Sequence, residues 1–145
     1  MPANAPESDN GMAWIEKQLP TRLETIREAE MEVVNRLESL GYNEDICFAV
    51  RLAFEEAIVN AMKHGNRMDP DRHVLLAYRA SPERVEIRVR DEGDGFDPCG
   101  IPDPTADENL RKPCGRGIML MRSYMDEVSY SSSGTEVLMV KYRHP

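Results

Sequence analysis

The sequence predicts a two-layer α/β domain, with helices laid on one face of a mostly antiparallel mixed sheet. Three observations carry that expectation. Two stretches repeat apolar residues at three-to-four spacing, and each stops at a glycine, Gly41 or Gly65. The run Val85-Glu86-Ile87-Arg88-Val89-Arg90 swaps apolar and charged residues at every step, the period of a half-buried strand. Other alternating segments are joined to it or to each other by short polar turns, and no internal repeat is visible.

Taken in order, residues 1–11 are rich in Pro, Asn, Ala and Ser, with little to bury, and read as a disordered lead-in to a single domain over 12–145. Trp14 to Leu19 reads as a short edge strand. Thr21 and Glu24 fit a capping box, and Ile26, Ala29, Val33, Val34, Leu37 and Leu40 then mark a helix from about Arg22 to Leu40. Asn43 is placed to cap a second helix running to about His64, whose apolar face carries Val50, Ala53, Phe54, Ala57 and Ile58. The Asp69-Pro70-Asp71 turn leads into a hairpin of His73–Arg79 and Glu83–Arg90. Residues 98–114 hold four prolines and no period, which suits a functional loop, a lid. A short helix over Ile118 to Met125 and two strands, Glu127–Tyr130 and Thr135–Tyr142, close the chain.

Composition narrows the function. At 145 residues the chain suits one domain with a real core. Eighteen basic residues against 26 acidic ones give a formal charge of -8, and the basic residues are scattered, which argues against direct nucleic-acid binding. No apolar run approaches the ~20 residues of a membrane span, and the N-terminus lacks the basic-then-apolar order of a signal peptide, so no membrane partner and a cytoplasmic location are expected. Cys47, Cys99 and Cys114 form an odd set without metal or disulfide spacing and read as free thiols.

The candidate chemistry lies in three places. Asp91, at the end of the alternating run, is followed by Gly93 and Gly95, which leave room for a flat ligand against the main chain. A buried Asp91 carboxylate needs a donor, for which a ligand amine or water would serve. An acidic surface turn reads equally well from this stretch alone. On the second helix, Glu56 and Asn60 are four apart and stack on one face, with Lys63 on the same stripe. An amide oxygen there could ligate a hard cation such as magnesium while the carboxylate orients or deprotonates a hydroxyl; a solvated helix face has the same spacing. Glu55 is turned about 100° away. Gly115-Arg116-Gly117 at a helix start offers backbone N–H groups to an anion, though it is neither a P-loop nor a dinucleotide fingerprint. His64 fits a helix cap or a packed side chain as well as a base, and Met119, Met121 and Met125 suit core packing.

In order, Glu56-Ala57-Ile58-Val59-Asn60-Ala61-Met62-Lys63-His64-Gly65-Asn66, Asp91-x-Gly93-x-Gly95, Gly115-x-Gly117 and Gly134-Thr135 resemble the GHKL (histidine kinase-like) ATPase superfamily. The compact form, with Met125-Asp126-x-Val128-Ser129, is similar to the bacterial anti-sigma-factor serine/threonine kinases of partner-switching systems. The resemblance spans about Met12 to Arg143. It implies a Bergerat fold that binds ATP and Mg2+ under the lid. Glu56 would be the general base, Asn60 the magnesium ligand and Asp91 the acceptor of the adenine amino group. Gly93 and Gly95 would flank the adenine, Gly115 and Gly117 the phosphates with Lys63 and Arg116 nearby, and Thr135 would support the adenine end. The implied partners are a sigma factor or other client and an anti-sigma-factor antagonist as phosphorylation substrate, and a homodimer is compatible with it. The competing reading is a module whose protein binding ATP gates, with little or no phosphotransfer.

Overall fold

The computed structural model describes residues 13–93, 120–131 and 133–144. Strand β1 spans Ile15–Pro20, and helices α1 (Ile26–Ser39) and α2 (Glu44–Asn60) follow; β2 is His73–Ala80, β3 Arg84–Arg90, β4 Glu127–Tyr130 and β5 Glu136–Tyr142. Residues 120–124 are helical. The strands form one sheet in the order β1-β2-β3-β5-β4. The predicted two-layer α/β arrangement is present, and every pairing among the described residues is antiparallel rather than mixed.

Strand alternation decides which face is covered. Val74, Leu76 and Tyr78 of β2, Val85, Ile87 and Val89 of β3, and Val137 and Met139 of β5 point into one core with Val33 and Leu37 of α1 and Val50, Phe54 and Ile58 of α2. Met121 and Met125 join that core as expected, whereas Leu120 is exposed. The opposite face is charged. There Glu86, buried on β3, takes Arg79 at 3.1 Å and Arg84 at 2.8 Å, and the Trp14 ring lies under the guanidinium groups of Arg79 and Arg88.

The helix boundaries follow local chemistry in part. Asn43 caps α2, its side chain accepting the Ile46 N–H at 2.9 Å, as the sequence indicated. The Thr21–Glu24 capping box does not form. A 3-10 turn over Leu23–Thr25 leads into α1 with no side-chain cap, and the buried Thr21 hydroxyl donates to the Arg72 carbonyl instead, 2.6 Å away. Tertiary partners outbid a local cap that solvent could replace. Gly41 ends the first helical segment at φ 90°, and Arg143 donates to the carbonyls of Leu40 and Gly41, tying the turn to the end of β5. Helix α2 does not run to His64: its α geometry stops at Asn60 and continues as a π-turn, Ala61–Gly65. The lead-in over 1–11 and the lid over 98–114 lie outside the described residues.

Candidate nucleotide site

The site forms where β3, β5 and the end of α2 converge. Val85, Ile87 and Val89 face the helices, so the period of two carries Asp91 inward just past the strand. Its backbone N–H donates to the Thr135 carbonyl at 2.9 Å, adding one rung to the β3/β5 ladder. The side chain is 5% exposed. Oδ1 accepts the Gly93 N–H at 2.8 Å, and no other hydrogen bond to the carboxylate forms among the described residues. Burial pushes the carboxyl above its ordinary pKa, while the Gly93 N–H, Arg72 and Arg90 act in the opposite direction.

Two glycines make this depth possible. A Cβ on Gly65 would sit 2.2 Å from the Asp91 carboxyl carbon, and one on Gly93 would sit 1.9 Å from the Gly65 carbonyl oxygen. Main chain from the π-turn, the Asp91 carboxylate and the main chain at Gly93 are therefore stacked without an intervening side chain.

Asn60 is the last α-helical residue of α2 and is 5% exposed. It lines one cleft with Asp91, Val89, Tyr130, Gly134 and Thr135. Its Nδ2 is buried with no hydrogen-bond partner among the described residues, a costly state for an amide unless a ligand completes it. Ala57 and Ala61 line the same cleft beside it. Glu56 is half-buried one α-helical turn earlier, on the stripe expected for it. The stripe itself is corrected at Lys63: this residue is exposed and belongs to the π-turn, so the α-helical spacing that would stack it over Glu56 ends before reaching it. His64 is exposed too, not packed. Thr135 lies just before β5 rather than within it, its hydroxyl 2.8 Å from that of Ser133, and Gly134 turns the chain at φ 77°.

The structure thus brings Asn60, Asp91 and Thr135 into one cleft, sets Gly93 against Asp91, and leaves Glu56 one turn away. Gly95, Gly115, Arg116 and Gly117 lie outside the described residues. Val89, Tyr130 and Gly65 were not expected in the site. The signals for Val89 and Gly65 were an inward parity shared with Asp91 and a helix-stop glycine; Tyr130 had none.

Chemically, the cleft offers a buried acid and a buried amide among mostly apolar lining residues. An Asn carbonyl oxygen is a hard donor, and magnesium takes few protein ligands when phosphate oxygens supply the rest. Among the described residues no cluster of three or more His, Cys, Asp or Glu could cage a metal.

Comparison with known proteins shows the family. The family model described as Histidine kinase-like ATPase domain matches residues 19–141. The chain is similar to the serine-protein kinase RsbW of Bacillus subtilis, 29% identical over 140 residues, covering 92% of this chain and 88% of that protein. RsbW of Listeria monocytogenes is 27% identical over 132 residues (86% and 84%), and RsbW of Bacillus licheniformis 30% over 138 residues (89% and 85%).

Proposed function

Because the chain belongs to the histidine kinase-like ATPase family, we propose that it is an ATP-binding anti-sigma regulatory factor, a serine/threonine kinase that phosphorylates a small antagonist protein in a bacterial partner-switching pathway. The observation that carries the nucleotide reading is a pair of buried polar groups lining one cleft: the Asp91 carboxylate and the Asn60 amide with its unpaired Nδ2. The first suits the exocyclic amine of adenine, the second the metal-bound phosphate end. The kinase reading is supported by the named activity of the RsbW relatives.

In this reading Asp91 accepts the adenine amino group through the oxygen that Gly93 leaves free, and Thr135 supports the same end. Gly93 and Gly95 lie along the base. Asn60 presents its side-chain oxygen to Mg2+, which neutralises phosphate charge when bound. Glu56, one turn back on α2, takes the proton of the attacking serine hydroxyl. Gly115, Gly117, Arg116 and Lys63 serve the phosphates, with residues 98–114 as the lid. A phosphate on the antagonist adds about two negative charges and disfavours rebinding, which frees the factor for a sigma factor or other client. No described helix is long and apolar enough to cross a membrane; a cytoplasmic protein that contacts proteins rather than nucleic acid, as a monomer or homodimer, completes the proposal.

The test is transfer of labelled γ-phosphate from Mg-ATP to proteins of a desalted lysate of the source organism, with wild type beside Glu56→Gln. A small labelled protein that vanishes with the variant, while ATP binding persists, is the expected result. Labelling at the wild-type rate by the variant removes Glu56 from its role. No labelling by a wild type that binds ATP leaves a nucleotide-gated binding module instead.

A further inference from the structure

Asn66 follows the π-turn, is fully enclosed at 0% exposure, and has no part in the roles assigned above. A buried amide is tolerated only when its donors and acceptor are met. All are met here. Nδ2 donates to the Thr21 hydroxyl and to the His73 carbonyl, each at 3.0 Å. Oδ1 accepts the Glu92 backbone N–H at 2.8 Å. Glu92 is the residue between Asp91 and Gly93, and its side chain in turn accepts the His73 N–H at 2.6 Å. The segment that carries Asp91 is therefore clamped twice to the turn between α2 and β2.

The backbone around Asn66 is unusual in a way this clamp explains. The π-turn widens the end of α2, and the Asn66 N–H closes it on the Ala61 carbonyl at 2.7 Å. Arg67 and Met68 then both take left-handed conformations, at φ 54° and 56°, which side-chain-bearing residues disfavour. Such geometry persists only where surrounding bonds over-determine it. The π-turn and the left-handed pair together turn the Asn66 side chain inward and bring the Gly65 carbonyl under Gly93.

We propose that Asn66 is a positioning residue for the base-binding end of the cleft: by holding the Glu92 backbone it fixes the depth of Asp91 and Gly93 against Gly65, and so sets the preference for adenine over guanine. This rests on the nucleotide reading of the cleft. Guanine presents a carbonyl oxygen where adenine presents its amine, so a correctly seated Asp91 rewards one base and repels the other. An Asp91 free to shift loses the first effect and relaxes the second.

The experiment compares ATP and GTP affinities, by titration calorimetry on the full chain, for wild type, Asn66→Leu and Thr21→Val. Asn66→Leu keeps the branched heavy-atom shape of the side chain, with somewhat more bulk, and deletes all three bonds. Thr21→Val removes one acceptor at the far end but leaves the bonds to Glu92 and His73. A lost folded fraction lowers both nucleotides alike and leaves their ratio unchanged, so the ratio separates positioning from mere support. The expected result is a fall of about tenfold or more in the ATP/GTP ratio for Asn66→Leu, with the wild-type ratio kept in Thr21→Val despite a lower Tm. An unchanged ratio in folded Asn66→Leu overturns the proposal and leaves the nucleotide reading standing; a wild type that binds neither nucleotide overturns both. Should Asn66→Leu fail to fold, hydrogen exchange on the wild type decides. Protection of the Glu92 amide comparable to that of the β3 amides supports the clamp, and exchange at the rate of an open loop refutes it.

Discussion

Replacing Gly65 by alanine perturbs the proposed base-binding end without replacing any group that would contact nucleotide. The new methyl carbon would lie 2.2 Å from both the carboxyl carbon and Oδ2 of Asp91, and 2.7 Å from Oδ1. Ordinary van der Waals contact begins near 3.4 Å, so the carboxylate must retreat by about 1.2 Å. That distance exceeds the tolerance of a hydrogen bond, whose useful range spans only about 0.5 Å. Asp91 has little freedom to move. It is 5% exposed, its N–H is fixed to the Thr135 carbonyl, and Oδ1 is bound to the Gly93 N–H. Two costs follow. Overpacking a buried site destabilises by about 1–3 kcal/mol, which lowers Tm by roughly 2–4 °C per kcal/mol in a chain of this size. Loss of a hydrogen bond to a charged group costs a further ~1.5–3 kcal/mol of ligand affinity, or about 10- to 150-fold in Kd at 1.4 kcal/mol per tenfold. Calorimetric titration with Mg-ATP, alongside a thermal melt, measures both. An ATP affinity within twofold of wild type in folded Gly65→Ala would refute the assignment of Asp91 to the base.

Two further outcomes are expected. Asp91→Asn replaces an acceptor by a mixed donor and acceptor, so ATP should bind at least tenfold more weakly and the preference over GTP should narrow; equal ATP and GTP affinities already in the wild type would remove the basis for this role. Glu30 of α1 is 6% exposed, paired with Arg51 of α2 at 2.5 Å, and its pKa is pushed up to about 7, first by burial and then by Glu55, against the pull of Arg51. A carboxyl whose folded pKa lies above its unfolded value of 4.5 opposes folding as it ionises. That penalty is absent below pH 4.5, grows between 4.5 and 7 and is complete above 7. Wild-type Tm should therefore carry a falling component from pH 5 to 8 that Glu30→Gln flattens; parallel Tm profiles for the two proteins would show that Glu30 is not the source.

What could be read from the sequence was whatever depends on residues near one another in the chain. The inward face of β3 follows from strict alternation over Val85–Arg90, and the same parity carried on to Asp91. The Asn43 cap acts three residues away, and the apolar face of α2 repeats within single turns. Asn60, Asp91 and Thr135, singled out in the sequence, line one cleft because each sits at the end of an element, where spacing fixes direction. Thr21 failed for the opposite reason. A hydroxyl three residues before a glutamate satisfies the local rule for a cap, but its partners are Asn66 and Arg72, 45 and 51 residues on. The expected stripe failed at Lys63 because it assumes 3.6 residues per turn, and a π-turn begins at Ala61.

That π-turn was invisible for a physical reason that also locates the site. Nothing in Ala61-Met62-Lys63-His64-Gly65 disfavours an α-helix before its terminal glycine, so local propensity cannot select the wider turn. It is selected from outside, by bonds that Asn66 makes to Thr21, His73 and Glu92 on three other segments. The segments it joins are the approach to α1, the first residue of β2 and the loop leaving β3. The same widening brings the Gly65 carbonyl to the place where Gly93 must lack a side chain. Departure from regular helix geometry and close packing around Asp91 are thus one event. A change that restored ordinary helical winding through Gly65 would move its carbonyl from under Gly93 while leaving the α2 stripe of Glu56 and Asn60 intact, so under the proposed nucleotide reading affinity for the base would change separately from positioning of the phosphate end.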